Sequence, residues 1–113
     1  HKMAGILPFK ARKGLLSVGY RYIKGEKDSV IIKKNQKIKG HEFHYWQIET
    51  QIENKYLSSF FTAPWKIKSW GTTYKKEGWS NHNLHASWIH LHLPSNKEVL
   101  KNMLTYHHKR NTN

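Results

Sequence analysis

The stretch Trp88-Ile89-His90-Leu91-His92-Leu93 alternates apolar and polar residues and is closed by Pro94. A period of two predicts a strand with Ile89, Leu91 and Leu93 on one face and Trp88, His90 and His92 on the other. The aliphatic face is expected to look into a core. The other face carries two imidazoles at the carboxyl end of a strand, just before a helix start, where α/β proteins tend to place their chemistry. A half-buried strand with merely polar histidines fits the same pattern, and alternation alone does not choose between the two.

Ser95-Asn96-Lys97-Glu98 has the spacing of a capping box, with Ser95 as N-cap and Glu98 reaching back. Val99, Leu100, Met103 and Leu104 then fall on one helical stripe, predicting a helix to about His108 that frays toward Asn113. His107-His108 reads as a solvated helix end, where positive charge suits the dipole.

Before this stretch the chain reads as strands. Leu15, Leu16, Val18, Tyr20, Tyr22 and Ile23 form the first, Gly25-Glu26-Lys27-Asp28 a turn, and Val30-Ile31-Ile32 the returning strand of a hairpin. Ile38 to Ile48 predicts a third strand, with His41, Phe43 and Tyr45 on one face and Glu42, His44 and Trp46 on the other. Leaving a buried polar group unpaired costs about 1–3 kcal/mol, so the Glu42/His44 face is either wet or a site. It is not the zinc-protease motif, which places histidines four apart on a helix. Residues 49 to 55 read as a polar connection and Tyr56 to Trp65 as an aromatic strand ended by Pro64. Glu77-Gly78 suggests a hairpin turn, and Ser80 to Asn83 a loop feeding the last strand. The expected fold is an α/β fragment: a mixed, largely antiparallel sheet followed by a C-terminal helix, in a single domain over residues 1–113.

Composition narrows the function. There is no Cys, which excludes disulfides, thiolate metal sites and a cysteine nucleophile within these residues. No apolar run approaches the roughly 20 residues of a membrane span, and no signal peptide is seen, so the expected location is cytoplasmic. The chain begins with His rather than Met and reads as a fragment or a processed piece. The formal charge of +13 would permit nucleic-acid binding. However, only Arg12, Arg21 and Arg110 are arginines, and scattered lysines are hydrated point charges that also protect strand edges.

Several ordered blocks carry a family resemblance: Met3-Ala4-Gly5-Ile6-Leu7-Pro8, Val18-Gly19-Tyr20-Arg21, Gly40-His41-Glu42-Phe43-His44-Tyr45, Glu77-Gly78-Trp79 and His90-Leu91-His92. In these the chain resembles the C-terminal part of the class I glutamine amidotransferase (flavodoxin-like) domain of the cobyrinic acid a,c-diamide synthase family. The resemblance implies an ATP-dependent, magnesium-requiring ligase of cobalamin biosynthesis. A cysteine attacks glutamine, and the ammonia released amidates the a and c carboxylates of cobyrinic acid. It implies that His90 is the general base beside that cysteine, a role that suits imidazole near neutral pH. Glu42, His44 and His92 are implied to border the substrate.

Many class I amidotransferases orient the catalytic histidine with a glutamate two residues on. Here His92 stands there, as in the cobyrinate branch, and Glu42 is the candidate for that task. The cysteine, the oxyanion loop, the ATP-binding P-loop and the magnesium ligands are implied to lie before His1. The chain alone is therefore expected to be inactive, to bind no cofactor or metal itself, and to dimerise if its sheet face is left bare.

Two other classes fit parts of the pattern. One is a histidine-rich metal-binding module, since nine histidines include His41, His44, His82, His85, His90 and His92. The other is a basic nucleic-acid module with stacking Trp and Tyr.

Overall fold

Antiparallel pairing organises the chain in the computed structural model, which describes Leu7, residues 9–48 and residues 61–111, with side chains to Tyr106. Two long strands, β1 (Ala11–Gly25) and β2 (Lys37–Ile48), form the central ribbon. β3 (Trp65–Lys68) pairs with the end of β1, β4 (Lys75–Glu77) with β3, and β7 (Ile89–His90) with β2. The strand order is β4-β3-β1-β2-β7, and every pair described is antiparallel. β5 (Trp79–Asn81) and β6 (Leu84–Ala86) make a separate two-stranded hairpin around His82-Asn83. A 3-10 turn (Leu93–Ser95) leads into helix α1 (Lys97–Asn111).

The core lies on one face of the sheet. Ile23, Trp65, Ile67 and Ile89 pack there with Ile32, joined by the half-buried Ile31, Ile38 and Leu91. Each such side chain gains about 1.5–3 kcal/mol on burial. In β3 alternation does what it predicts, because Trp65 and Ile67 are buried while Lys66 and Lys68 are not. The opposite face of β1 and β2 leaves Val18, Tyr20, Phe43 and Tyr45 exposed.

Four expectations change. Val30-Ile31-Ile32 is not a returning strand, and the partner of β1 is β2. The run is a compact plug: Ser29 N donates to Ile32 O, Lys34 N to Asp28 Oδ1, and Asn35 N to Gly25 O. Ile32 O is taken by Ser29 N, Ile32 N by Ser29 Oγ and Ile31 O by Asn102, groups a strand would offer to its neighbour, and Ile32 is fully buried. Second, Glu77-Gly78 is not a hairpin turn. Gly78, at φ 85°, is where the chain leaves the five-stranded sheet for β5.

Third, the strand foreseen from Trp88 to Leu93 is only the two residues Ile89 and His90. Trp88 sits in a bend, and Leu93-Pro94-Ser95 winds into the 3-10 turn, with Pro94 in its first positions. Ile89 is buried, Leu91 half-buried and Leu93 exposed. Fourth, the capping box does not close, since Ser95 Oγ pairs with His92 Nδ1 at 2.7 Å. α1 buries Val99 and Asn102 and leaves Leu100, Met103 and Leu104 exposed. Asn102 Nδ2 donates to Ile31 O at 2.9 Å and to Gln36 Oε1 at 2.7 Å, docking the helix on the plug.

The polar connection at 49–55 and the first half of the aromatic strand expected at 56–65 lie outside the described residues. So do the side chains of His107 and His108. In the described half of that strand only Thr62 bridges, to Ser80, and Trp65 opens β3 after Pro64.

Candidate functional site

β7 brings the sequence-derived residues to one edge of the sheet and divides them between its faces. The register pairs His90 with His41 and Ile89 with Glu42. Directly opposed residues point the same way, so His90 shares the exposed aromatic face with His41, while Glu42 and His44 lie on the inner face. Glu42 is thus on the wrong side of the sheet to orient His90. Close approach of β7 depends on Gly40, where a Cβ would stand 2.5 Å from Ile89 Cγ2 and 3.1 Å from His90 O.

On the inner face Glu42 is the centre of a charged network. Arg21 Nε donates to its Oε1 at 2.8 Å, and His44 Nε2 meets its Oε2 at 2.6 Å. His44 Nδ1 lies 2.6 Å from the Trp46 carbonyl oxygen, which can only accept. Nδ1 of His44 is therefore the donor to Trp46 O. Burial by itself raises the Glu42 carboxyl. The hydrogen bonds and charges of His44 and Arg21 outweigh it and hold the group below its usual value of 4.5. The His44 ring also stacks on Trp88, with centroids 4.5 Å apart and planes 15° from parallel. Trp88 is consequently tied to the inner face rather than to the face of His90.

A second carboxylate grips the same segment. Glu77, at the end of β4, receives the Ser87 hydroxyl at 2.8 and 2.7 Å from its two oxygens. It also accepts from Trp88 N at 3.0 Å and from the Trp65 indole. Ser87 Oγ in turn accepts from Ile89 N at 2.8 Å. The sequence marked Glu77 as a turn residue and as part of a resemblance block, but neither it nor Arg21 nor Ser87 as a site residue. One available signal was Arg21 beside Gly19 on a strand facing Glu42; nothing local pointed from Glu77 to Ser87.

The remaining histidines are dispersed. His92 is exposed beyond the strand, held by Ser95. His85, on β6, packs edge-on against Trp65 with centroids 4.5 Å apart, and both its ring nitrogens are buried without a hydrogen-bond partner. Burial pushes its pKa down to about 4. Among the described residues no group of three or more His, Cys, Asp or Glu side chains is placed to hold a metal ion. None of the described helices is long and apolar enough to cross a membrane.

Comparison with known proteins supplies what the site alone does not. The chain is 34% identical over 92% of its length to cobyrinate a,c-diamide synthase of Caldanaerobacter subterraneus subsp. tengcongensis, covering 22% of that protein. It is 30% identical over 90% of its length to the synthase of that name from Priestia megaterium, covering 21% of it. Against the one from Synechococcus sp. it is 31% identical over 92% of its length, covering 22%. No protein-family model matches the chain, and no solved structure does. By their shared name these relatives form one class, that of diamide synthases. Within that class the chain belongs to the cobyrinate a,c-diamide synthase family, and it spans about a fifth of the length of the curated relatives it matches.

Proposed function

We propose that the chain is the base-bearing portion of the glutaminase domain of an ATP-dependent amidotransferase that amidates the a and c carboxylates of cobyrinic acid. The observation that carries this reading is the similarity to cobyrinate a,c-diamide synthases over about nine-tenths of the chain. The placement of His90 supports it, on the exposed face of an edge strand where a neighbouring part of the protein can reach it.

In this reading His90 takes the proton of a cysteine thiol supplied by the rest of the protein. The thiolate attacks the side-chain amide carbon of glutamine, and ammonia leaves with a proton returned by the imidazolium. His92, exposed just beyond His90, borders the substrate. Glu42 and His44 lie beneath this edge on the inner face, held by Arg21 and Trp46 O, and shape it from behind rather than facing His90.

ATP and magnesium do not fit the residues present here. The sequence contains no P-loop pattern. The carboxylate of Glu42 is engaged with Arg21 and His44, and that of Glu77 with Ser87, Trp88 and Trp65. In this reading carboxylate activation belongs to the rest of the protein.

The test is product analysis by mass spectrometry. The full-length synthase carrying this segment is incubated with cobyrinic acid, ATP, magnesium and glutamine. Formation of the a,c-diamide is expected; no amidation of cobyrinic acid by either glutamine or ammonia would contradict the reading.

A further inference from the structure

We propose that Glu77 is the positioning residue for His90, acting through Ser87 and the backbone of Trp88 and Ile89. The inference rests on the reading of His90 as the glutaminase base.

A catalytic imidazole must be held to within a fraction of an ångström, and two paired residues are too few to do that. β7 is only Ile89–His90; after it Leu91 is half-buried against the core and His92 and Leu93 are exposed. The position two residues after His90 holds a histidine, and Glu42 is on the opposite face. Orientation must therefore come from what fixes the backbone entering His90.

Glu77 does this in three ways. Its carboxylate takes the Ser87 hydroxyl on both oxygens and the Trp88 N–H on Oε1. The hydroxyl so fixed accepts the Ile89 N–H, the amide immediately before His90. Glu77 is itself fixed by the indole N–H of Trp65, a wholly buried core residue, and by the pairing of Glu77 with Trp65 between β4 and β3. The path runs from the core through one carboxylate to the residue preceding the base. Hydrogen bonds to a charged acceptor are about twice as strong as neutral ones, which suits a rigid support.

The test uses the full-length synthase and two assays, glutamine-driven and ammonia-driven amidation, on Glu77→Gln, Ser87→Ala, Ser87→Thr and His90→Ala. Glu77→Gln and Ser87→Ala are expected to lower the glutamine-driven kcat roughly tenfold to a hundredfold, the range for a misplaced catalytic group. The ammonia-driven rate is expected to stay near wild type. Ser87→Thr, which keeps the hydroxyl, is expected to recover most of the loss seen with Ser87→Ala. An equal fall in both assays with a lowered Tm would make Glu77 a purely structural residue and overturn the proposal. So would wild-type glutamine use by both Glu77→Gln and Ser87→Ala while His90→Ala is inactive with glutamine. If His90→Ala itself keeps glutamine use, the reading of His90 fails and the proposal falls with it.

Discussion

The imidazole of His44 lies flat on the indole of Trp88, and its two nitrogens reach Glu42 and the carbonyl of Trp46. One ring thus links the inner face of β2 to the bend from which β7 starts. Stacked rings of this kind gain beyond simple contact. We expect a double-mutant cycle of His44→Ala and Trp88→Ala in urea unfolding to give a coupling of about 1 kcal/mol. Additive losses would show that the stack contributes no coupling.

The Arg21–Glu42–His44 network predicts acid sensitivity with a definite sign. The folded-state pKa of Glu42 is depressed, so the unfolded chain binds more protons as the pH falls. The stabilisation is complete well above the ordinary value of 4.5. It is lost progressively below that value, until the pH has passed the folded-state pKa. Glu42→Gln should remove this part of the acid dependence in urea titrations carried from pH 6 downward. At pH 7, Arg21→Ala should cost about 3 kcal/mol, because it removes one partner of a largely buried ion pair. A loss no larger than that of an exposed Arg→Ala would show that the pair is not a support.

His85 makes an opposite kind of prediction, since removing it should help. Its ring is held neutral by burial, with the folded-state pKa near 4 against 6.5 when unfolded. Between those values the unfolded chain takes up the proton, so stability falls as pH falls from about 7 to 4, by about 3 kcal/mol. His85→Phe keeps an edge contact to Trp65 and discards two unpaired nitrogens. The variant should be at least as stable at pH 7 and lose less stability by pH 4, read from urea midpoints at the two pH values. An unchanged acid slope would contradict this placement of His85.

The long β2 strand and the sharing of one face by Glu42 and His44 were legible because the alternation holds from Ile38 to Tyr45; it breaks at Trp46, expected beside His44 but exposed. The direction of β7 was only partly legible. The alternating pattern continues to Leu93, but the backbone leaves the sheet after His90 to meet Pro94 and the 3-10 turn. Val30-Ile31-Ile32 shows the matching error, because a continuous apolar run of three specifies burial and not strand. Glu77 was not legible at all: its partners Ser87 and Trp88 lie ten and eleven residues later and meet it only after β4 and the β5–β6 hairpin are in place. Of the expected helix stripe only Val99 is buried, because Asn102, a polar residue, makes the other buried contact with the plug while Leu100, Met103 and Leu104 stay outside.

The central claim is that His90 is the base of the glutaminase centre. It is tested most directly by the full-length synthase with His90→Ala, supplied with glutamine or with ammonia in parallel. Glutamine-driven amidation is expected to fall by at least about a hundredfold, as for loss of a general base, while ammonia-driven amidation persists. Retention of both reactions would contradict it.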